Sequence, residues 1–359
     1  MKSQGILLGY ELFAKGPHRG NPSYSNLLQG QTVRRSRSAR EALHSGAISL
    51  ETLRALRELR DSRSVLDLTL TVGSVVAVPV FYAMFPHPLT FVACMLLTVR
   101  NFNCAAQLVH ESDHATLFRH PWLNTLMGNL CAYILGYTRS GHRQAHMDHH
   151  IYLNTERDPD IIFSQPDKSG QALLIGLAQD LFLISAIKRF LQYFQSDRKT
   201  YSVSPWRNLS LQYFKQMTKA LCPVVLTQAA IVLLFAATTG PIFYVWLYVL
   251  PIMTLYPLQI RVRSIAEYSF DHSYHPQAAE DAWVARTSHL NLLERFIMAP
   301  LSQYYHYEHH VFPNIPNYNL AKVHRLLVNA GIPVPTNDSY VGFVFRKIRT
   351  DLRGVWKTK

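Results

Sequence analysis

Four long apolar segments, arranged in two closely spaced pairs, constrain this chain more than any other feature. They are Leu66–Met84, Pro88–Val109, Leu221–Ala237 and Pro241–Ile260. Each approaches the roughly 20 residues that a helix needs to cross the hydrocarbon of a bilayer. Hydrophobic residues make up 48% of the chain, although the mean hydropathy is only -0.01. The apolar residues must therefore be concentrated in a few segments, with polar stretches between them. The pattern predicts an all-α integral membrane fold with four transmembrane helices in two hairpins.

The connectors and the flanking charges predict the topology. Only FPHP or TTGP separates the segments of each pair, and neither connector contains Lys or Arg. The formal net charge of +13 therefore comes mostly from the N-terminal region, the central stretch and the C-terminal region. By the positive-inside rule, we expect these three parts in the cytoplasm. We accordingly predict a basic cytosolic N-terminal segment (1–65), a membrane domain (66–327) and a cytosolic C-terminal tail (328–359).

Three shorter segments are expected to lie beside the spans. Leu123–Tyr137 and Gln171–Ile187 are apolar but short, or interrupted by Asp180, which is typical of interfacial or core helices. Ile48–Arg60 has an amphipathic pattern with Ser49 as its N-cap, which predicts a solvated helix at the bilayer surface. The basic run RRSRSAR precedes it without a recognition motif, so no nucleic-acid partner is expected.

The first residues and the cysteines argue against other classes of protein. The apolar run in MKSQGILLGYELFAKG is only a few residues long and is interrupted by Glu11 and Lys15. We therefore expect no signal peptide, and insertion through internal spans. The four cysteines show no CxxC spacing, which argues against a zinc knuckle or a disulfide framework.

Three histidine clusters carry the chemistry that the sequence predicts. One has the pattern HxxxH and two have the pattern HxxHH, and their members are His110, His114, His146, His149, His150, His306, His309 and His310. On a helix, the histidines of HxxxH share a face. In HxxHH we expect the first and second to share a face, while the third points about 100° away, so that one helix can serve two metal ions. A lone HxxxH is more often incidental, and the argument depends on the repeated HxxHH.

The number of imidazoles favours a binuclear site. Eight are too many for a single tetrahedral zinc, while an imidazole-rich site suits iron, copper or zinc by ligand softness. A di-iron site fits the ligand number best. We expect it to use dioxygen and electrons to abstract hydrogen from an unactivated C–H bond, beside a dry channel in a four-span bundle.

The text around the clusters resembles the membrane fatty acid desaturase and hydroxylase superfamily. The carrying segments are HMDHHIYLNTERDPDI at the second cluster, EHHVFPNIPNYNL at the third, and RTSHLNLLERFIMAP before it. The resemblance extends over roughly Leu66–Leu327. It implies a mushroom-like fold, with four transmembrane helices under a cytosolic helical cap that holds two Fe ions almost entirely by histidine. Similarity to bacterial members implies a bacterial inner membrane protein.

One position departs from the pattern of these relatives. Many bacterial members read R-x-I-A-E-H at the end of the fourth span, where the final histidine is a further iron ligand, whereas this chain reads RVRSIAEYSFDH. The position is therefore Tyr268. The missing donor is expected from His272, from His142, or from water held between Tyr268 and the metal, and for His142 a supporting or surface role is an equal alternative.

Several carboxylates stand beside the histidines. Asp113, Asp148, Glu267 and Glu308 are expected to accept ring N–H bonds and fix tautomers, unless they are solvated helix charges. Asp158 and Asp160, after the second cluster, are expected to orient a histidine or cap a helix rather than bind metal.

The chemistry requires partners. The sequence contains no flavin or dinucleotide fingerprint and no HPGG haem motif, so electrons are expected from an external donor, namely a ferredoxin, a rubredoxin or a cytochrome b5-type protein. Such donors are usually acidic, and the basic cytoplasmic face is expected to bind them and anionic membrane lipid. The apolar bundle favours an acyl chain or another lipophilic substrate.

Three functions follow, in decreasing order of support. The first is an O2-dependent acyl desaturase. The second is a hydroxylase, or a desaturase of a specialised small metabolite such as an amino-acid-like natural product, with the same site. The third is a non-catalytic membrane protein that binds zinc or lipid. The text of the second and third clusters favours the first.

Overall fold

The computed structural model describes residues 46, 48–153, 158–160, 170–188, 211–268 and 285–357, with the backbone alone at 211–214, 216–217, 351 and 353–357. Its α-helices are α1 (Leu50–Leu56), α2 (Asp61–Met84), α3 (Pro88–Asp113), α4 (Pro121–Ile134), α5 (Arg139–Tyr152), α6 (Gly170–Leu181), α7 (Leu211–Thr238), α8 (Ile242–Tyr244), α9 (Leu250–Met253), α10 (Leu255–Tyr268), α11 (Leu292–Ile297), α12 (His306–Val311), α13 (Asn317–Asn329) and α14 (Tyr340–Lys357). A π-helical turn, Val245–Val249, joins α8 to α9. The strands are β1 (Thr287–Ser288) and β2 (Thr336–Asn337).

Four helical stretches in the described chain are long and apolar enough to cross a membrane, which confirms the predicted number of candidate spans. They are Leu50–Met84, Pro88–Asp113, Thr218–Thr238 and Ile242–Tyr268. Large apolar side chains face outward from all four; Leu89 in the second is 75% exposed, and Val225 and Leu233 in the third are 62% and 68% exposed. Apolar surface of this extent is typical of contact with lipid.

Two of these helices extend beyond the apolar segments of the sequence. The sequence predicts that the second span ends near Val109 and the fourth near Ile260, whereas the helices continue to Asp113 and Tyr268. The extensions are polar and mostly buried, because other helices cover them. They carry His110 and Tyr268 beyond the apolar bundle.

The helices α2, α3, α4 and α7 share one apolar core with the start of the fourth span. Phe102 is fully buried at its centre and packs edge-on against Tyr248, with ring centroids 5.0 Å apart. Close approach of α4 to α3 depends on Gly128, since a Cβ there would lie 2.0 Å from the Ser112 Oγ. Helix α4, which belongs to the apolar segment Leu123–Tyr137, therefore packs as a core helix.

Helix α6 begins the segment Gln171–Ile187 and is fixed to the fourth span by a buried ion pair. The Asp180 carboxylate is fully buried and accepts hydrogen bonds from the Nε and Nη2 of Arg261, the latter at 3.1 Å. The residue that interrupts the apolar pattern is thus the one that joins α6 to α10. Burial of such a charge requires a partner of this kind.

The N-terminal amphipathic helix packs one face on the protein and leaves the other exposed. Ser49 caps it as expected, with its Oγ accepting a hydrogen bond from the Thr52 N–H at 3.1 Å. Leu53 and Leu56 are buried in a cluster with Tyr307 and Leu327, while Leu50 is 55% exposed, and the predicted place of the helix at the bilayer surface stays a prediction. Helix α1 ends at Leu56 and packs one face against the protein, where residues more than 250 positions away cover Leu53 and Leu56.

The C-terminal region packs against the same body. β1 and β2 pair in parallel, with Thr287 opposite Thr336 and Ser288 opposite Asn337. Tyr340 at the start of α14 is fully buried, and its Oη donates a hydrogen bond to the Glu267 Oε1 at 2.6 Å. Residues of the predicted tail therefore reach the end of the fourth span. The predicted division of the chain at 65 and 327 stays a prediction.

Candidate metal centre

The three histidine clusters lie on helix ends that converge. His110 is in the last turn of α3 and His114 is its C-cap residue, while α5 and the six-residue helix α12 carry the two HxxHH clusters. All members except His110 and His146 are more than nine-tenths buried. The structure thus brings eight side chains from three distant parts of the sequence into one volume.

The donor nitrogens of these side chains form two groups. The five-histidine group contains His110, His114, His146, His150 and His309, and the three-histidine group contains His149, His306 and His310. Within each group, the donor atoms all lie within 4.8 Å of one another. Helices α5 and α12 each contribute to both groups.

The division within each HxxHH cluster differs from the expected one. The first and third histidines share a group, as His146 does with His150 and His306 with His310, and the second histidine lies in the other group. The expected pairing of the first and second was therefore wrong. Positions i and i+4 differ by about 40° around a helix axis and positions i and i+3 by about 60°, so the first and third are better aligned.

Burial favours the neutral form of the imidazoles. Desolvation lowers the pKa of His114, His146 and His150 well below the usual value, and neighbouring histidines lower it further. The pKa of His306 and of His309 is lowered in the same way, again mainly by burial. A neutral imidazole offers one nitrogen lone pair, which is the form that binds metal.

The close contacts between nitrogens in the five-histidine group fit a bound cation. The Nε2 of His114 lies 2.7 Å from that of His146, and the Nε2 of His150 lies 3.1 Å from those of His146 and His309. A neutral ring donates one hydrogen only, so lone pairs in this group face one another unless a cation lies among them. Imidazole donors suit iron, copper and zinc.

The side chain of His149, in the three-histidine group, is held by a carboxylate. Its Nδ1 lies 2.8 Å from the Asp158 Oδ1, and both side chains are buried. Asp160 is half exposed, with its Oδ2 3.8 Å from the same nitrogen, and its backbone N–H donates to the Asp158 Oδ1. With its N–H directed to Asp158, His149 presents a lone pair on Nε2.

Glu267 lies at the edge of the three-histidine group. Its Oε2 is 3.6 Å from the His306 Nε2 and 3.2 Å from the Arg263 Nε, and its Oε1 accepts the Tyr340 hydroxyl. The carboxylate is therefore shared between Arg263 and Tyr340. Asp148 lies half-buried on α5 and is in neither group.

Asp113 and Glu308 contact histidines outside the two groups. The Asp113 Oδ2 lies 2.7 Å from the His142 Nδ1, and its Oδ1 lies 3.0 Å from the Arg139 Nε. Glu308 bonds to the Nδ1 of His324 at 2.5 Å and accepts a hydrogen bond from Thr287. The histidines that these carboxylates orient are thus not those of the three clusters.

Three alternatives were predicted for a further metal ligand beside the eight histidines, and the structure treats each differently. His142 is in neither group, and its ring stacks between Tyr137 and His146 while it bonds to Asp113. His272 lies outside the described residues. Tyr268 is 7% exposed, and its Oη lies 2.9 Å from the His149 Nε2 and 3.1 Å from the His310 Nε2. The tyrosine that departs from the relatives' pattern therefore lies at the three-histidine group.

Sequence reasoning missed several residues around the groups. Glu111 is buried near the end of α3. Its Oε2 accepts hydrogen bonds from the Thr116 Oγ1 at 2.9 Å and from the Asn317 N–H, at the start of α13, at 3.1 Å. A small cavity beside the histidines is lined by Gln107, His110, Arg263, Gln303, His306, His309 and Leu320. The only signal in the sequence is that Gln107 and Glu111 lie one helical turn apart, next to HxxxH.

Comparison with known proteins identifies a family but no individual relative. No curated protein matches the chain. A family model described as fatty acid desaturase matches residues 86–333, which extend from the start of α3 past the end of α13 and include both histidine groups. That match covers well over half of the 359 residues. With this match and the histidine groups that it includes, the chain belongs to the fatty acid desaturase family.

Proposed function

We propose that the protein is an O2-dependent desaturase that introduces a C=C bond into a fatty acyl chain or another lipophilic substrate. One observation carries the proposal: eight imidazoles converge in two groups beside apolar helices, in a chain of the desaturase family. The family implies an oxidoreductase. Two adjacent donor sets made of neutral nitrogens support a site with two ions.

The proposed centre holds one iron ion in the five-histidine group and a second in the three-histidine group. When bound, the irons supply the reductive activation of dioxygen that removal of hydrogen from an unactivated C–H bond requires. The chain's own contribution is to hold the donors in position and to exclude water. Asp158 fixes the tautomer of His149, and the buried Glu111 joins the end of α3 to the segment around Asn317.

The four candidate spans are proposed to form two transmembrane hairpins under a cytosolic helical cap. The short connectors without Lys or Arg, and the outward-facing apolar side chains, support this arrangement. Both histidine groups would then lie on the cytoplasmic side, in a bacterial inner membrane. An apolar substrate would reach the groups from the bilayer or through the cap.

The electrons are proposed to come from a separate ferredoxin, rubredoxin or cytochrome b5-type protein. A net charge of +13 supports contact with an acidic donor and with anionic lipid headgroups. This attraction weakens as salt concentration rises, because exposed charges are screened over roughly 10 Å at 0.1 M ionic strength.

A second candidate is a hydroxylase, or a desaturase of a small polar metabolite, with the same centre. Tyr268 supports it, because this tyrosine lies at the three-histidine group, where the pattern of many bacterial relatives has a histidine. The two candidates differ in whether oxygen enters the product.

The proposal is tested by expression with a reductase and donor, followed by mass spectrometry of lipids and polar metabolites under labelled dioxygen. We expect a product that lacks two hydrogens and contains no label, whereas label in the product would favour the hydroxylase. His150→Ala should abolish the product. His120→Ala is the matched control, because His120 is exposed before α4 and should leave the product unchanged. No change in any lipid or metabolite would contradict both candidates.

A further inference from the structure

The two histidine groups are unequal in donors, and a tyrosine lies at the poorer one. The five-histidine group has five nitrogens, while the three-histidine group has three. Tyr268 Oη contacts all three members of the smaller group: His149 Nε2 at 2.9 Å, His310 Nε2 at 3.1 Å, and His306 Nε2. The phenol oxygen thus lies where a fourth donor of that group would lie.

Four possible ligand atoms lie close together here. Three imidazole nitrogens surround the Tyr268 oxygen, which can donate one hydrogen and also has lone pairs to offer. His149 directs its other nitrogen to Asp158, and the Nε2 atoms of His306 and His310 lie 3.1 Å apart. A cation among these four atoms would receive one lone pair from each of them.

The carboxylate near the Nε2 atom of His306 is engaged elsewhere. Glu267 Oε2 lies 3.6 Å from the His306 Nε2, but this side chain accepts hydrogen bonds from Tyr340 and Arg263. The oxygen atom that contacts all three imidazoles is therefore the phenol oxygen of Tyr268.

The end of α10 is fixed by hydrogen bonds that position the tyrosine. The Ala266 carbonyl accepts a hydrogen bond from the Asn337 side chain at 3.0 Å, and the Glu267 carbonyl accepts the Arg286 N–H at 3.0 Å. These contacts tie the last turn of the helix to the β1 and β2 segments. The backbone that carries Tyr268 is therefore fixed beside the three-histidine group.

We propose that Tyr268 is itself a metal ligand, and that its Oη completes the donor set of His149, His306 and His310. The proposal rests on the proposed function, since it assigns a ligand to one of that function's two irons. The phenol proton is released to solvent as the oxygen binds the cation, in the way that metal binding displaces protons from other ligands. The three-histidine group then becomes a four-donor site with one anionic oxygen.

The test is the visible absorption and resonance Raman spectrum of the purified, iron-loaded and oxidised protein. A phenolate bound to ferric iron gives a charge-transfer band whose excitation enhances tyrosine ring vibrations. We expect this signal in the wild type and its loss in Tyr268→Phe and in Tyr268→His. Tyr248→Phe is the matched control, because Tyr248 is also buried in the fourth span but contacts the Ile134 carbonyl, and it should retain the signal.

Iron content separates the possible failures. We expect the second iron to bind at least about tenfold more weakly in Tyr268→Phe, and Tyr268→His to recover most of this loss without the band. Two bound irons and no band in the wild type would overturn the tyrosine ligand and leave the proposed function standing. A band that persists in Tyr268→Phe would also overturn it, and a wild type that binds no iron would overturn both.

Discussion

The five-histidine group and the three-histidine group draw on the same two HxxHH sequences, yet they differ in what completes them. The first adds two more imidazoles from the end of α3. The second adds the phenol of Tyr268, the carboxylate of Asp158 behind His149, and Glu267 nearby. Two copies of the same HxxHH pattern therefore contribute to two sites with different sets of donor atoms, because the remaining side chains of each site come from different helices.

The largest expected effect is on iron binding. Removing one histidine from the three-histidine group should weaken iron binding more than removing one from the five-histidine group. His306→Ala should remove one of the two irons and lower activity by roughly 1000-fold, since loss of a catalytic metal costs several kcal/mol of transition-state stabilisation. His150→Ala should abolish the product as well but retain more iron, because four imidazoles remain. Metal analysis of the purified variants measures the iron content of each. Equal iron loss in both variants would contradict the expected difference between the two groups.

A smaller effect is expected from the carboxylate that orients His149. Asp158→Asn keeps the shape of the side chain but weakens the bond to the His149 Nδ1, so we expect the affinity for the second iron to fall about 10–100-fold. Asp160→Asn is the control, because that side chain is half exposed and 3.8 Å from the ring nitrogen. Competition with a chelator gives the affinities. Similar affinities for the two variants would mean that Asp158 does not fix the tautomer.

The smallest expected effect concerns the packing beside the five-histidine group. Gly128→Ala directs a methyl group at the Ser112 side chain and at the Arg139 Cδ, 2.0 and 2.9 Å from the new carbon. Overpacking of this kind destabilises a protein by about 1–3 kcal/mol. Gly73→Ala is the control, since its Cβ would meet nothing within 4 Å.

Thermal unfolding in detergent, with iron content as a second readout, checks this expectation. We expect Gly128→Ala to unfold at a lower temperature and to lose iron first from the five-histidine group, because Ser112 lies between His110 and His114. An unfolding temperature equal to that of Gly73→Ala would show that Ser112 and Arg139 move aside without cost.

Much of the fold follows from local sequence, whereas the partition of the site does not. Apolar length is a local property, and it predicts all four candidate spans. Whether His149 joins His146 or His306 depends on the rotation of α5 against α12, which lie more than 150 residues apart, and on side-chain rotamers. The small difference between i+3 and i+4 spacing therefore misled the prediction.

The carboxylates illustrate the same limit. Asp113 and Glu308 stand beside cluster histidines in the sequence, but they bond to His142 and His324 in the structure. Neighbouring residues on a helix point in different directions, so adjacency in sequence is a poor guide to the partner of a side chain. Asp158, nine residues after His149 and beyond the end of α5, is the carboxylate that contacts its Nδ1.

The central claim is that the eight histidines hold two irons, one in each group. Diffraction data collected on crystals of the protein just above and just below the iron absorption edge test it most directly. The account predicts two anomalous peaks, one among His110, His114, His146, His150 and His309, and one among His149, His306, His310 and Tyr268. A single peak, or peaks that vanish at the iron edge and appear at the zinc edge, would contradict it.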